Sequence, residues 1–519
     1  MSKTQRSPDQ TYPLGSPPQY NIQQSGPYAP NVHPPPGPPP QSQYRDIRRF
    51  EPKKRLNDPF FFFFFIAQFL GYCALSGYAI HDWIKRGGLG GGPDGSDTGT
   101  RFSLNQHTAY LLLLVSAAAL LLSSFFLGLV RAFTRTIMHI TLILNIALNI
   151  GFCAYLWYMV SKHLDYSGAI VFTVIALISI ISYTTFRSRI PLASLLLQIV
   201  MDIAKHHVSV YAVAFGALFI QALLCVWFVF TTMATYVKWS PGNPSCANGT
   251  PCSSGTVAGL VFFETFSFLW TSEVVSNVAV ATLAGGPFGA WYYFGPQGAY
   301  DGGMPSHPTL SSLGRACSYS LGSIAFGSLI VTLLDILRLV LQTIRNTANA
   351  EGHPVEACLA ACAECFVGCV EALVEYFNRY AYIQIALYGK PYMVAAKDTW
   401  RVFQDRGIDA LINDSIIGIT MMWGAYGVGI LSGIFSYIYL RYTKPSYNSD
   451  GQYTPVVMFF AFIIGVQCCL TTISAIEAGV STIFVGLGED PAVLATRAPE
   501  LFEMIAAKYP KVVQGVHGF

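Results

Sequence analysis

After residue 58 the chain alternates long apolar runs with short polar stretches almost to its end. A bilayer core about 30 Å thick is crossed by about 20 apolar residues in helical form. Runs of that order occupy 59–80, 107–130, 137–160, 167–186, 208–234, 256–283, 318–343, 355–388, 411–440 and 455–487. The pattern predicts an all-α polytopic membrane protein with about ten transmembrane helices. The run 355–388 carries Glu356, Glu364, Glu371, Glu375 and Arg379. That charge load suits either a span packed beneath its neighbours or a segment lying partly in the interface. The run opening at Phe60–Phe65 reads as a retained span, because a long polar segment precedes it and no small-residue cleavage site follows.

Orientation follows from the placement of Lys and Arg in short loops. Arg45, Arg48, Arg49, Lys53, Lys54 and Arg55 crowd the entrance to the first run and place the amino terminus in the cytoplasm. Ten crossings then return the carboxyl terminus to the same side, with both termini cytoplasmic. The expected organisation is a Pro-rich cytoplasmic tail with a basic juxtamembrane segment (1–58), a transmembrane domain (59–487) and a cytoplasmic C-terminal tail (488–519). Composition agrees: 52% of the 519 residues are hydrophobic and only 11% charged, against about 25% charged in soluble domains. A net charge of +3 is too small to suggest a nucleic-acid partner.

Residues 1–44 are rich in Pro, Gln, Ser and Tyr and contain His33-Pro34-Pro35-Pro36-Gly37-Pro38-Pro39-Pro40. With almost no aliphatic side chains the segment cannot bury a core, so it is expected to be disordered with polyproline II character. An SH3- or WW-type partner is one reading and a plain solvated tail the other. Gly87–Gly92 lacks the strand–Gly–helix context of a nucleotide site and reads as an external loop. The expected external loop after the fifth run holds Cys246 and Cys252 around the sequon Asn248-Gly249-Thr250. A disulfide between the two cysteines and a glycan on Asn248 are expected there, although Pro251 weakens the sequon. A second sequon, Asn413-Asp414-Ser415, falls on the cytoplasmic side and is expected to be unused.

Specific motifs go further. Asn378-Arg379-Tyr380-Ala381-Tyr382-Ile383-Gln384-Ile385-Ala386-Leu387-Tyr388-Gly389-Lys390, followed by Ala395-Ala396-Lys397, resembles the signature of the choline transporter-like family of solute carriers. Phe268-Leu269-Trp270-Thr271, Leu283-Ala284-Gly285 with Trp291-Tyr292, Leu321 to Ser328 through Arg338, and Ser481 to Val485 with Glu489-Asp490-Pro491 resemble further blocks of that family, in order. The likeness covers about 256–500. The Pro-rich tail, the short first external loop and Leu56-Asn57-Asp58 resemble its fungal branch, the pH-nine-sensitive proteins. The resemblance implies ten helices, a plasma-membrane location, and a small-molecule substrate: choline or a related organic cation. It implies no cofactor. A non-transporting scaffold or sensor recruiting partners through the tail, and a lipid-handling protein, are the alternatives.

A quaternary ammonium neither donates nor accepts a hydrogen bond, so its site needs aromatic faces, with a carboxylate as an aid. Ser267, Trp270, Glu273 and Asn277 recur at helical spacing in the sixth run, with Glu264 on the opposite side. The tenth run carries a stripe of Gln467, Thr471, Ser474, Ala478 and Ser481 with Glu477 beside it. Candidate substrate residues are therefore Trp270, Glu273, Asn277, Glu264, Gln467, Ser474 and Glu477. The plainer reading gives Trp270 a packing role and the polar stripe interhelical hydrogen bonds. The resemblance leads one to expect an acid at Ser481 and an amide at Asp335. Asp335 and Arg338 stand three residues apart and are expected to form a structural ion pair on one helix face. Cys358, Cys362, Cys365 and Cys369 paint one helix stripe, unlike the knuckles of zinc sites, so no metal is expected. Small buried residues or palmitoylation targets are the readings of that stripe. His206-His207 reads as a pH sensor or an interfacial pair. Gly424, Gly427, Gly429 and Gly433 let the ninth run approach another helix closely or unwind locally. No nucleophile–base pair or phosphate loop appears, which argues against an enzyme and against an ATP-driven pump.

Overall fold

The computed structural model describes residues 55–85, 106–160, 166–187, 190–241, 253–295, 306–406, 409–443, 454–510 and 512–513. The Pro-rich stretch of the tail, Gly87–Gly92, Cys246, Cys252 and Asn248 lie outside them. The described residues are helical throughout, with no strand among them. The long helices are α1 (Pro59–Lys85), α2 (Gln106–Ala132), α3 (Thr134–Val160), α4 (Tyr166–Phe186), α5 (Ile190–His206), α6 (Ser209–Trp239) and α7 (Ser254–Leu283). A π-helical turn (Ala284–Phe288) and α8 (Gly289–Phe294) continue α7. Then follow α9 (Pro308–Cys317), α10 (Leu321–Glu351), α11 (Pro354–Tyr388), α12 (Tyr392–Arg406), α13 (Asp409–Thr443), α14 (Thr454–Glu489), α15 (Pro491–Arg497) and α16 (Pro499–Lys508).

Among the described residues, 9 helices are long and apolar enough to cross a membrane. They coincide with nine of the ten expected runs, and α4, free of charged residues, is the helix of the remaining one. The chain is an all-α polytopic membrane protein. The doubtful run 355–388 is one continuous helix. Its ends carry ordinary stop signals: Pro354 in the first turn, where a missing N–H costs nothing, and Gly389 beyond the last, at φ 63.

Helices α1, α6, α7, α10 and α11 pack against one another, and α2, α3, α4, α13 and α14 form a second neighbourhood. The two meet chiefly along α14, which also touches α6, α7 and α11. The C-terminal half of α14 is buried almost continuously from Ala475 to Leu487. There Gly479 and Gly486, seven residues apart on one face, are notches. An ideal Cβ on Gly479 would stand 2.7 Å from the Phe288 ring, and one on Gly486 would stand 2.8 Å from that of Tyr292. Phe288 and Tyr292 reach these notches because the chain breaks at Gly286 (φ -100, ψ -111) ahead of Pro287, which turns α8 out of line with α7.

Three joints place the start of α1 and the ends of α11 and α14 on one face of the molecule. Asn57 Nδ2 donates to the Gly389 carbonyl (3.0 Å), Lys390 Nζ approaches Glu489 (3.8 Å), and Tyr292 OH donates to the Asp490 carbonyl (2.9 Å). This packed inner layer also holds two elements that the hydropathy pattern did not announce. One is α5, whose apolar side is buried from Ile190 to Ala204. The other is α15–α16, in the stretch expected to be a tail, where Leu494 and Leu501 are fully buried.

Asp58 fastens α1 to this layer. Its Oδ2 accepts from Ser323 Oγ (2.6 Å) and from the Tyr392 backbone N–H (2.8 Å), capping the first residue of α12 from 334 positions away. Its backbone lies so near Gly322 that a Cβ there would meet Asp58 O at under 2.5 Å. Asp58→Ala is expected to lower stability by about 2 kcal/mol, and Asp58→Asn, which keeps one acceptor, by less. Thermal unfolding of the purified protein measures both.

Candidate functional site

A cavity of about 210 Å³ lies between α6, α7 and α14. Its walls are Ala214, Ala217 and Gln221 of α6, Ser276, Ala279, Val280 and Leu283 of α7, and Gln467, Leu470, Thr471, Ser474 and Ala475 of α14. The small alanines make the space, and two amides and three hydroxyls make it polar. On α14 exposure falls from Gln467, exposed, through Thr471 and Ser474, half-buried, to Ala475 and Ala478, buried. Val280 and Leu283 on α7, and Ala214 on α6, are buried at the same end. The cavity walls therefore grow more buried toward the inner layer, which closes that end. At that end stand Phe288 in the Gly479 notch and Val200 of α5.

The residues singled out from the sequence go to four different places. Gln467 and Ser474 line the cavity, with Thr471 between them. Glu273 and Asn277 face α10 and α11. Asn277 Nδ2 donates to Ser328 Oγ (3.0 Å) and Glu273 Oε2 (3.4 Å), and Glu375, Asp335 and Glu371 stand close enough to act on Glu273 by charge. Glu264 faces α6, where Thr232 (3.1 Å) and Thr235 donate to its two oxygens. Glu477 pairs with Arg379 of α11 (3.0 Å), joining the two helix neighbourhoods. Trp270 is fully buried, its indole N–H donates to Ala325 O (3.0 Å), and its ring meets Phe64, Phe65 and Phe266.

Asp335 and Arg338 make no ion-pair contact within 4.0 Å, although the Arg338 charge acts on Asp335. Arg338 Nη1 reaches Glu371 Oε1 (3.4 Å) across to α11, because that helix runs alongside α10 and presents an acid at the same height. Arg345 and Glu364 form a second bridge between these helices (2.6 Å). Every arginine of α10 and α11 thus has an acid partner across a helix boundary, whereas Glu264, Glu273, Asp335 and Glu375 have no Lys or Arg within 4.0 Å among the described residues.

Cys358, Cys362, Cys365 and Cys369 are exposed along α11. No group of three or more His, Cys, Asp or Glu among the described residues is arranged to hold a metal ion. His207 lies between α5 and α6, and its pKa is lowered by burial and by the neighbouring His206, so its neutral form is favoured. On α9, Arg315 donates to the Gly285 carbonyl that the π turn leaves open (3.0 Å), and burial lowers its pKa.

Residues 170–492 match the family model described as plasma-membrane choline transporter. A protein named Protein PNS1 from Cryptococcus neoformans is 51% identical over 514 residues, covering 97% of this chain and 92% of the relative. Proteins of the same name from Mycosarcoma maydis and Aspergillus fumigatus are 39% and 38% identical over 479 and 458 residues, covering 90% and 87% of this chain and 86% and 83% of theirs. The chain belongs to the choline transporter-like family. The family signature Asn378–Lys390 falls mainly in the inner layer. Asn378 Nδ2 donates to Gly327 O (3.1 Å), Tyr392 OH donates to Asn378 Oδ1 (2.6 Å), and Gln384 donates to Glu489 (2.7 Å). That block is therefore a joint beneath the cavity.

Proposed function

We propose that the protein carries a small organic cation of the choline type across the plasma membrane by alternating access, with the α6–α7–α14 cavity as its outward-facing binding chamber. The observation that carries this reading is the charge inventory of the interior. Paired arginines offset three acids, whereas Glu264, Glu273, Asp335 and Glu375 have no Lys or Arg within 4.0 Å among the described residues, an excess of acidic over basic groups that supports the reading. A negative, water-restricted interior concentrates cations and repels anions. The cavity is smaller than the roughly 300–1,000 Å³ of drug-sized sites, as a substrate of a few heavy atoms requires. Its hydroxyls and amides suit the hydroxyl group of an amino alcohol. Among the described residues neither an aromatic ring nor a carboxylate lines it, so the cationic end relies on the field of the surrounding acids and not on a ring cage or a direct ion pair. The basic residues ahead of α1 support a cytoplasmic position for the inner layer.

Uptake of labelled choline in cells lacking their own choline carriers tests the reading. The intact protein is expected to give saturable uptake, and Ser474→Leu, which fills the cavity, to reduce it by about tenfold or more, a loss of roughly 1.4 kcal/mol or more. Glu273→Gln is expected to reduce it less. Deleting residues 1–44 should leave the flux intact, whereas a scaffold acting through the tail would lose its phenotype. Absence of uptake by surface-expressed protein would overturn the reading.

A further inference from the structure

A second polar site lies away from the cavity, in the interface of α1, α6 and α7. Phe65 meets Trp270 with ring centroids 5.3 Å apart, and one to two turns along, Gly71 meets Phe263, 3.5 Å from an ideal Cβ. These contacts fix α1 and α7 antiparallel and set Gln68 level with Ser267. Gln68 (7% exposed), Ser267 (0%) and Thr271 (6%) are buried in this interface. None of their side-chain polar atoms has a hydrogen-bond partner, unlike the large majority of buried polar groups. One turn further along α7 is Glu264, also 0% exposed. Both its carboxylate oxygens accept from threonine hydroxyls of α6, and no basic side chain pairs with it. Tyr72 of α1 is close enough to Glu264 to act on it by charge, and it hydrogen-bonds Thr231 of α6, as Ser76 does. The three helices thus bring one carboxylate and several neutral oxygens into a closed, polar column ending on the rings of Trp270, Phe64 and Phe65.

We infer that this column holds a small monovalent inorganic cation of the Na+ type, bound by Glu264 together with the oxygens of Gln68 and Ser267, one helical turn away. A carboxyl wholly removed from water is neutralised either by a proton or by a countercharge, and the unpartnered amide and hydroxyl oxygens beside this one favour a cation, which they can ligate. Hard oxygen donors suit an alkali cation. Water alone would satisfy the hydroxyls and the amide while leaving the charge uncompensated.

The test is thermal unfolding of the full chain in detergent, in NaCl, LiCl, KCl or N-methylglucamine chloride at one pH and one ionic strength. A cation that binds only the folded state raises the melting temperature with its concentration, here by about 3 °C or more at saturation. The expected result is such a rise in a small alkali cation over N-methylglucamine, lost in Glu264→Gln and in Ser267→Ala, and kept in Ser474→Ala at the cavity. Gln68→Leu reads the same site should Glu264→Gln fail to fold. Equal melting in all four salts, a rise that survives Glu264→Gln, or a dependence on pH alone would each overturn the inference. None of these readouts requires choline, so failure here leaves the transport reading standing, and the converse.

Discussion

Gly479→Leu is expected to yield little folded protein. Even a Cβ at this position would stand 2.6 Å from Val200 Cγ1 and 2.7 Å from the Phe288 ring, and both neighbours are fully buried. Overpacking of this kind costs about 1–3 kcal/mol when neighbours can shift a little. Here they are held from the other side by α5 and by the broken end of α7. Gly479→Ala should therefore destabilise by about that amount, and leucine by more. Truncating the knob, as in Phe288→Ala combined with Gly479→Leu, should restore part of the loss. Size-exclusion profile and thermal unfolding of the single and double variants read this directly. Unchanged stability of Gly479→Leu would mean that α8 does not seat against α14 as described.

The second large effect is at the bridge between the two helix neighbourhoods. Arg379 and Glu477 are mostly buried, with side chains 28% and 18% exposed, and their polar ends meet at 3.0 Å. Removing one member deprives the other of this opposite charge in a low-dielectric setting, which costs about 3–5 kcal/mol for buried pairs. Partial exposure places this pair toward the lower figure. Arg379→Gln alone and Glu477→Gln alone are each expected to lower stability by about 3 kcal/mol. The double variant, which leaves no net charge behind, should recover most of it. If the double variant loses the sum of the two singles, the pair acts through separate partners and the bridge is not the unit.

Much of the fold was legible because the hydrophobic pattern has a length scale set by the bilayer. Runs of about 20 apolar residues are helices α1–α4, α6, α7, α10, α11, α13 and α14 with ends displaced by a few residues, and Pro354 and Gly389 mark α11 in the sequence itself. What escaped the pattern was everything shorter than that scale. Helix α5 has 17 residues, at the short limit for a crossing, and with Asp202 and Lys205 in its last turns it does not stand out as an apolar run. The break at Gly286-Pro287 was not read from the sequence, and its consequence, two aromatic knobs aimed at two glycine notches, depends on a helix nearly 200 residues away.

The candidate site was legible in part for a different reason. Helical spacing tells which side chains share a face and is silent about what that face meets. Gln467, Thr471 and Ser474 of the α14 stripe line one cavity. The face of α7 carrying Trp270, Glu273 and Asn277 meets α1, α10 and α11, so its ring and its acid lie away from the cavity walls. The partners of Arg338 and Arg379 sit on other helices, at Glu371 and Glu477, and no spacing rule within one helix points to them. Ser276, Gln221 and Ala217 join the cavity only because α6 and α7 lie against α14.

Labelled choline flux into liposomes containing the purified protein as the sole protein tests the central claim most directly. The account predicts saturable choline entry, competed by unlabelled choline and by small amino alcohols, not by a neutral polyol or a carboxylate of similar size, and abolished by Ser474→Leu. Choline entry no faster than into protein-free liposomes, with the protein folded and inserted, would contradict it.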